Sequence, residues 1–296
     1  MIKKLSMNRI CRMTLFVFIF FLLYLFPNNK EYELKTNIVN KQYNYHDIYL
    51  IDKNNYVSKT NIIVNSIEKE KLAKDLLNSL TIDSKNSIKI PNNFKAVIPK
   101  NTKILNIKVE NETIRVTFSN EITNTNNKDQ LIECIVYTLT SINNIKRVLL
   151  SVENDNEYFK NEYTRNIGIN KKYDITNLND ILSVTIYYVS KENDVDYYIP
   201  VTKYMNSKDN KIKVIIDELA SKSTLESNLM SYLNYETKLI NYEIKDDDIN
   251  LYFNESILNS SDDDKILEEV IYTISYSVKD SIEVNNIHFF VNDKEI

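Results

Sequence analysis

The chain has 296 residues, of which 43% are apolar and 26% are charged, a composition typical of a folded protein with room for two domains. It contains one glycine, Gly168, which excludes the glycine-rich motifs of P-loop and Rossmann nucleotide sites, the nucleophile elbow and the EF-hand loop. Its two His and two Cys cannot form a typical structural zinc site, because Cys11 lies beside the N-terminal apolar run described next. We therefore predict no catalytic residue, no metal and no cofactor.

The N-terminal segment predicts a membrane anchor. Four basic residues and no acidic one precede an apolar run over 15–26, the arrangement of an export signal whose positive end stays in the cytoplasm. No small-x-small cleavage site follows the run, so we expect 1–27 to persist as a signal anchor that crosses the membrane once, with a cleaved signal as the alternative. Residues 28–45 then form a tether, and the remaining chain lies outside the cytoplasm.

The charge of the chain agrees with this topology. Residues 1–30 hold five of the 37 basic residues and no acidic residue, so the remainder carries 32 basic against 41 acidic side chains. An acidic exported body argues against nucleic acid as a partner. Cys134 has no second thiol outside the membrane segment, and its apolar helical context predicts a small buried side chain.

Hydrophobic periodicity predicts alternating strands and helices in the first half of the chain. Ala73, Leu76, Leu77 and Leu80 share one helical face, and Val116 and Phe118 share one face of a hairpin. The predicted elements, in chain order, are strands over 46–51 and 56–64, a helix over 66–80 capped by Asn65 or Ser66, a hairpin over 104–109 and 113–118, a helix over 128–141 and a strand over 147–152.

The second half repeats the first. A shift of 135 residues aligns 102–139 without gaps on 237–274, with eleven of the 38 positions identical. The repeated elements are strands over 184–189 and 197–201, a helix over 209–220, a hairpin over 238–253, a helix over 262–277 and a strand over 286–291. A repeat this long is a duplicated domain. We predict an α+β fold with two tandem sandwich domains of β-β-α-β-β-α-β order, at 46–153 and 182–296, joined by a polar linker over 154–181.

One motif carries a family resemblance. Pro and Thr precede the hairpin, an aromatic residue ends its second strand, and a Tyr-Thr pair lies on the following helix. These positions are Pro99, Thr102, Phe118, Tyr137 and Thr138 in the first copy, and Thr237, Phe253, Tyr272 and Thr273 in the second, which lacks the Pro. The motif resembles the GerMN domain family of sporulation and spore-germination proteins, and the resemblance covers about 46–293.

The resemblance implies a non-catalytic protein that lies outside the mother-cell membrane of a spore-forming Firmicute. It would help to assemble or stabilise the channel complex between mother cell and forespore. The fold it implies is similar to the ring-building modules of secretion machines, and self-association of the copies is therefore a further possibility. Two other functions stay open, a peptidoglycan-binding module that localises the protein and, more remotely, a wall-glycan hydrolase, which would need two acids facing each other across a cleft.

Two residue clusters have both a functional and a structural interpretation. The acidic runs 246–248 and 262–264 could bind Ca²⁺, but a hairpin turn and a helix cap are the favoured interpretations. Tyrosines concentrate on the opening strands of each copy, where exposed rings would provide contact area for a protein partner. The candidate interface residues are Tyr187, Tyr188, Tyr197 and Tyr198, with simple strand propensity as the alternative.

Overall fold

The computed structural model describes residues 14–15, 17–18, 44–85, 90–155, 157–159, 162–221, 228–258 and 265–296. Apart from 14–15 and 17–18, which are helical, the predicted anchor lies outside the described residues, as does nearly all of the predicted tether. Within the described part, no helix has both the length and the hydrophobicity that a bilayer crossing requires. Residues 43–296 cluster into one structural unit.

The predicted β-β-α-β-β-α-β order is confirmed in both halves of this unit. The first copy consists of β1 (Tyr45–Asp52), β2 (Val57–Ile63), α1 (Lys69–Leu80), β3 (Phe94–Lys95), β4 (Ile104–Glu110), β5 (Thr113–Phe118), α2 (Lys128–Leu139) and β6 (Arg147–Val152). After β7 (Lys172–Asp174), the second consists of β8 (Ile181–Glu192), β9 (Val195–Asn206), α3 (Lys211–Ala220), β10 (Leu239–Lys245), β11 (Asp248–Phe253), α4 (Glu268–Ser281), β12 (Asn286–Val291) and β13 (Lys294–Glu295). The short strands β3, β7 and β13 were not predicted.

Each copy contains a small sheet of its own. The order is β4-β5-β6 in the first copy and β10-β11-β12-β13 in the second. The hairpin strands pair antiparallel, whereas β6 runs parallel to β5 and β12 runs parallel to β11. A parallel neighbour requires a crossover, and the helices α2 and α4 provide it.

The opening hairpins of the two copies belong to a single sheet. Its strand order is β3-β1-β2-β9-β7. The strand β8 pairs with β9 along its full length, whereas β2 and β7 pair with separate short parts of β9. The first copy meets the second where β2 pairs with β9 at Lys59 and Tyr198. Each copy also has its own apolar core, to which the helices and the small sheet contribute. The two copies are thus joined by backbone pairing as well as by the chain between them.

The connection between the copies packs against both of them. Phe159 and Tyr163 are buried in the core of the first copy, and Ile169 is fully buried beside Tyr49 and Tyr137. The strand β7 then pairs with β9 of the second copy. The polar composition predicted a linker over 154–181, and the structure shows that its apolar residues anchor it. The predicted domain limits themselves remain a prediction.

Asparagine and aspartate replace glycine at the left-handed backbone positions of this chain. In the described part, the thirteen non-glycine residues with positive φ are all Asn or Asp, with φ between 45° and 67°. Their short polar side chains tolerate this region better than those of other residues. Gly168 differs, because its φ of 75° is combined with a ψ of 166°, a region that is essentially restricted to glycine.

Three predicted helices begin before the residue at which the structure starts them, α3 by only two residues at Lys211 and the other two by more. The helix α1 begins at Lys69 rather than at 66, and its N-cap residue Glu68 makes no side-chain capping bond. The helix α4 spans Glu268–Ser281 rather than 262–277, and the acidic run 262–264 lies outside the described residues. For α1, the polar residues Asn65 and Ser66 matched a cap pattern, whereas the observed N-cap is Glu68.

The gapless alignment of the two copies is correct for the hairpins and wrong for the following helices. Lys103 and Ser119 bond through their backbones as Lys238 and Asn254 do, which confirms a shift of 135 there. The last strands differ by 139, because Thr113 pairs with Arg147 and Asp248 pairs with Asn286. Four additional residues in the second copy therefore precede its helix, which moves the equivalent helix positions by about one turn.

Candidate interdomain site

A cleft of about 760 Å³ lies between the two copies. It is bordered by the C-terminal ends of α2 and α4, by the connection at 164–166 and by residues of β1, β2 and β8. Its volume is within the range of ligand-binding clefts in proteins. The residues that determine its chemistry are Asp47, Tyr49, Lys59, Glu112, Thr140, Ser141, Lys146, Arg147, Arg165, Tyr187, Tyr276, Lys279, Asp280 and Glu283.

Two equivalent tyrosines meet at the base of the cleft. The backbone N–H of Tyr49 donates to Thr138 Oγ1 at 2.9 Å, and that of Tyr187 donates to Ser277 Oγ at 2.9 Å, so the two copies hold their tyrosines in the same way. The two hydroxyl oxygens lie 3.0 Å apart. Tyr187 donates to Asp280 Oδ2 at 2.9 Å, which leaves its oxygen to accept the proton of Tyr49.

Arg165 binds both helix ends from the connection between the copies. Its guanidinium forms an ion pair with Asp280 of α4 and donates to Thr140 Oγ1 and Ser141 Oγ, both at 2.9 Å, just beyond the C-terminus of α2. It also lies 4.9 Å from the centroid of the Tyr137 ring, within cation–π range. A single cation thus bonds to groups from both copies.

The electrostatics of this cluster favour neutral tyrosines and a charged arginine. Burial raises the pKa of Tyr187 well above its ordinary value, and the nearby Asp280 carboxylate adds to the effect. Burial likewise raises the pKa values of Tyr49 and Tyr137. Burial opposes the charge of Arg165, but the Asp280 carboxylate and the three neighbouring tyrosines together outweigh it and raise the arginine pKa well above its ordinary value. The hydroxyls therefore remain hydrogen-bond donors at neutral pH.

Further ion pairs line the mouth of the cleft. Lys146 of the first copy lies 2.7 Å from Glu283 of the second and 3.4 Å from Glu112. Lys59 lies 2.9 Å from Asp47, and its Nζ is 3.8 Å from the centroid of the Tyr276 ring. Each acidic group that lines the cleft is thereby paired with a basic one. In the described part of the chain, no group of His, Cys, Asp and Glu is arranged to hold a metal ion.

A second polar cluster fixes the junction of β2 and β9. The Asn170 side chain accepts from the Val57 N–H at 2.9 Å and donates to the carbonyls of Val57 and Pro200 at 2.8 and 2.7 Å. Its backbone N–H donates to Glu133 Oε2 at 3.1 Å, and Lys171 pairs with the same carboxylate. This amide bonds to both strands close to the single pair that joins them directly.

The motif residues of the first copy lie in its core or its turns. Phe118 and Tyr137 are fully buried, and the Tyr137 hydroxyl donates to the Arg165 carbonyl at 3.2 Å. Thr138 accepts the Tyr49 N–H, as described above. Pro99 precedes a turn closed by the Thr102 N–H, which donates to the Pro99 carbonyl at 3.2 Å. Tyr137 and Thr138 thus contribute to the interdomain junction.

The second copy keeps only part of this arrangement. Phe253 is buried like Phe118, and the Thr237 hydroxyl donates to the Ser256 carbonyl at 3.1 Å. Tyr272 is 37% exposed, and the hydroxyl of buried Thr273 donates to the Glu269 carbonyl within its own helix. The residues placed like Tyr137 and Thr138 are instead Tyr276 and Ser277, because α4 is displaced by one turn relative to the gapless alignment.

The tyrosines predicted as a partner-facing surface pack inside the molecule. Tyr187 and Tyr188 are only 2% and 0% exposed, which contradicts their assignment to an exposed interface. Tyr197 is half-buried against Phe94, and Tyr198 is half-buried against Tyr272 and Tyr276. Tyr188 packs in the core of the second copy, whereas Tyr187 packs against Tyr49 of the first copy and Tyr276 of α4. A single sequence contains no signal for that contact between the copies.

Sequence reasoning missed the residues that join the copies. Arg165 and Asn170 lie in the segment that was predicted as a linker, and Asp280 lies beyond the predicted end of its helix. A signal was nevertheless present, since Gly168 is the one glycine of a chain that otherwise uses Asn and Asp at left-handed positions. A residue so rare indicates a backbone position with a strict requirement.

The comparisons with known proteins agree with this architecture. The family model described as "Germane: Sporulation and spore germination" matches residues 47–157 and 185–296. The spore germination protein GerM of Bacillus subtilis (strain 168) is 31% identical over 267 residues, which cover 84% of this chain and 71% of that protein. The solved structure of the tandem GerMN domains of the B. subtilis sporulation protein GerM matches with a TM-score of 0.76 at 28% identity. It covers 85% of this chain and 92% of that structure.

Proposed function

The chain belongs to the Germane family of sporulation and spore germination proteins, and from this premise we propose that it is a non-catalytic, membrane-anchored assembly protein. It helps to build or stabilise the channel complex between mother cell and forespore. Its two domains lie outside the cytoplasm and contact other proteins of that complex.

The fixed junction of the two domains is the observation that supports this role most directly. Backbone pairing between β2 and β9, the Asn170 amide and the Arg165–Asp280 ion pair all connect the copies. Domains joined by a small polar contact generally move relative to each other. A protein that holds several partners in an assembly instead needs a fixed distance between its binding surfaces. Buried contacts between the two domains provide such a fixed distance.

The electrostatics of the cleft support a non-catalytic role. A glycosidase needs an acid whose pKa is raised so that it can donate a proton. The carboxylates whose pKa is raised in the described part, Asp52 and Asp217, do not line the cleft. Those that do line it each have a basic partner within 4.0 Å. Among the described residues, each acid of the cleft is therefore held in an ion pair, whereas a glycosidase needs two acids that face each other across the substrate.

The charge distribution supports the anchored topology. Basic residues are concentrated before the apolar run, and the body that follows is acidic. This asymmetry is typical of a protein whose N-terminus stays in the cytoplasm and whose body is exported. The experiment that tests localisation labels cysteines, introduced one at a time before and after the apolar run, with a reagent that does not cross membranes.

The assembly role is tested by crosslinking in sporulating cells of the source organism. The full chain carries a C-terminal tag and a photoreactive residue at an exposed position, and the captured proteins are identified by mass spectrometry. We expect proteins of the forespore-facing channel among the crosslinked species. A chain with the tag but no photoreactive residue is the matched control.

Two results would contradict the proposal. Retention of the detergent-purified chain on isolated peptidoglycan, together with an absence of protein crosslinks, would indicate a wall-binding module. Release of soluble products from that peptidoglycan would indicate a hydrolase. Light scattering on the same preparation measures the solution mass, and a mass above one protomer would add the self-association that the likeness to ring-building modules implies.

A further inference from the structure

The interdomain cleft contains two basic residues that its acidic residues do not neutralise. Five basic and four acidic side chains line it, and three of the basic ones, Lys59, Lys146 and Arg165, pair with all four acids. In the described part of the chain, no carboxylate lies within ion-pair distance of the other two, Arg147 and Lys279. The cleft thus has a positive excess on a body that is acidic as a whole.

The two basic residues belong to different copies. Arg147 is the first residue of β6, and Lys279 lies in the last turn of α4. Both side chains are exposed, so each can reach a ligand without first breaking an ion pair to a described residue. A ligand that contacts both must therefore lie across the junction, and it would bind best when the two copies keep the orientation that Arg165 and Asp280 fix.

We infer that this cleft binds an extended acidic peptide segment, with one carboxylate at Arg147 and a second at Lys279. The guanidinium of an arginine matches a carboxylate with two parallel hydrogen bonds, and a lysine provides a mobile point charge. The half-buried ring of Tyr276 borders the same space and offers an apolar contact between the charges. The hydroxyls of Thr140 and Ser141 also border it, but each already donates to a carbonyl of α2 and accepts from Arg165, so a peptide can use them only as additional acceptors.

A peptide fits this site better than a phosphate does. Phosphate sites use helix N-termini or glycine-rich loops, whose N–H groups point at the anion. This cleft is flanked instead by the C-terminal ends of α2 and α4, whose partial negative charge disfavours a compact dianion. A single carboxylate at Lys279, in the last turn of α4, carries half the charge of that dianion and is disfavoured less. The inference deepens the proposed function by naming the chemistry of the partner segment, and it rests on that function.

The test measures binding of a labelled probe by the full chain in detergent micelles. The probe is a fluorescein-labelled octapeptide of alternating Glu and Thr, and the same peptide with Lys in place of Glu is its control. Fluorescence anisotropy is expected to show saturable binding of the Glu peptide alone, and the affinity is expected to fall as salt is raised, because exposed charges are screened. Equal binding of both peptides would overturn the inference.

Charge-reversal variants locate the site. We expect Arg147→Glu and Lys279→Glu each to weaken binding of the Glu peptide about tenfold, a change that one repelled carboxylate is sufficient to produce. Lys74→Glu, an exposed helix residue that does not line the cleft, is the matched control and should leave affinity unchanged. Arg147→Lys keeps the charge and should restore most of the loss. Wild-type affinity in both cleft variants would overturn the inference.

Competition distinguishes the possible sources of the carboxylate. Inorganic phosphate and a soluble muropeptide, which carries stem-peptide carboxylates, are added to the bound probe. Displacement by the muropeptide at a lower concentration than that of unlabelled Glu peptide would overturn the assignment to a protein segment. If the cleft fails to bind the probe while the cellular crosslinks persist, the inference falls and the proposed function stands. If the probe binds without cellular crosslinks, the proposed function falls.

Discussion

Tyr49 and Tyr187 occupy equivalent positions in the two copies, and their hydroxyl oxygens lie 3.0 Å apart at the junction between them. A hydroxyl on the helix of its own copy accepts the backbone N–H of each tyrosine. The series of contacts from Tyr49 through Tyr187 to Asp280 and Arg165 then departs from symmetry, since the residue of the first copy equivalent to Asp280 is Ser141. The duplicated domains thus place two equivalent tyrosines in contact. Asp280, which is present in the second copy alone, accepts the proton of Tyr187 and so makes Tyr49 the donor between the two hydroxyls.

Removal of the Tyr187 hydroxyl is expected to destabilise the fold more than removal of the Tyr49 hydroxyl. Tyr187→Phe leaves both Asp280 and the Tyr49 hydroxyl short of a partner, and we expect a loss of about 2 kcal/mol in the free energy of unfolding. Tyr49→Phe removes one donor and should cost about 1 kcal/mol. Urea unfolding of the single and double variants gives the coupling between them. Tyr173→Phe, at an exposed position, is the control.

The buried tyrosines are expected to make the protein sensitive to alkali. Burial raises the pKa values of Tyr49, Tyr137, Tyr187 and Tyr188 above the unfolded value of about 10. The folded state then holds protons that the unfolded state releases, so this contribution to stability is complete below about pH 10 and declines as pH rises toward the folded pKa values.

Absorbance at 295 nm checks this expectation. At pH 11 the native chain should show at least four fewer tyrosinates than the chain unfolded in guanidinium, corresponding to the four residues named above. The missing groups should ionise together with the loss of far-UV circular dichroism. Titration of all 21 tyrosines near pH 10 in the folded protein would contradict the burial of these rings.

Neutralisation of Asp280 is expected to be among the most damaging single substitutions. Its side chain is 6% exposed and is paired with Arg165, whose side chain is 26% exposed. Asp280→Asn keeps the shape but leaves a mostly buried guanidinium without its counterion, and we expect a loss of about 3 kcal/mol. The exposed pair of Asp83 and Lys100 provides a control, and Asp83→Asn should leave the unfolding midpoint within error.

A double substitution separates the charge from the packing. Adding Arg165→Gln to Asp280→Asn removes the uncompensated cation, so the double variant should be more stable than Asp280→Asn alone. A double variant that is less stable by the full cost of both changes would show that the two residues act independently. Chemical unfolding followed by circular dichroism makes the comparison.

Strand limits could be predicted from this sequence wherever a strand alternates between core and solvent. The strands Thr113–Phe118 and Arg147–Val152 were predicted with the limits that the structure has, since one side of each faces the core. The same reasoning failed for Tyr187 and Tyr188, which are both buried although they are neighbours on one strand. Alternation assumes that one face of the strand is exposed to solvent, and here the second face is covered where Tyr187 contacts Tyr49 of the first copy and Tyr276 of α4.

The helix alignment failed for a different physical reason. A displacement by four residues turns a helix through about one turn, so the apolar face of α4 matches that of α2 almost equally well at shifts of 135 and 139. The repeated Tyr-Thr pair then decided in favour of the wrong shift. Contacts such as that between Arg165 and Asp280, 115 residues apart, produce no periodic pattern at all. The interdomain cleft was therefore outside the reach of pattern analysis.

Asn170 is expected to stabilise the domain junction through both its backbone and its side chain. Its φ of 45° lies in the left-handed region, and its amide makes three bonds to strand backbones. Asn170→Gly retains the backbone freedom and loses only the amide bonds, whereas Asn170→Ala loses the bonds and adds strain. We expect losses of about 2 kcal/mol for Gly and about 3 kcal/mol for Ala.

The order of these two variants is the informative result. If Ala is more stable than Gly, the left-handed backbone at residue 170 is not maintained and the amide bonds cannot hold β2 to β9 as described. Urea unfolding reports the order, and protease sensitivity between the two copies reports whether the junction opens before the domains unfold. Asn166→Ala, four residues earlier and exposed, is the control.

Gly168 is expected to tolerate no side chain. Its φ of 75° with a ψ of 166° is strained for any other residue, and an added Cβ would lie 2.8 Å from Tyr204 Oη and 3.3 Å from Thr202 Cβ. Gly168→Ala should therefore lower the free energy of unfolding by about 2 to 3 kcal/mol. Thermal unfolding measures the change.

A companion variant separates the two causes. Tyr204→Phe removes the nearest atom of the clash but leaves the backbone conformation unchanged, so Gly168→Ala in that background should recover only part of its loss. Full recovery would mean that the hydroxyl alone excludes a side chain. Asn and Asp fill the other left-handed positions of the described chain. Partial recovery would therefore show why Asn or Asp cannot replace Gly168. The ψ of 166° at this position lies outside the range that these residues usually adopt at positive φ.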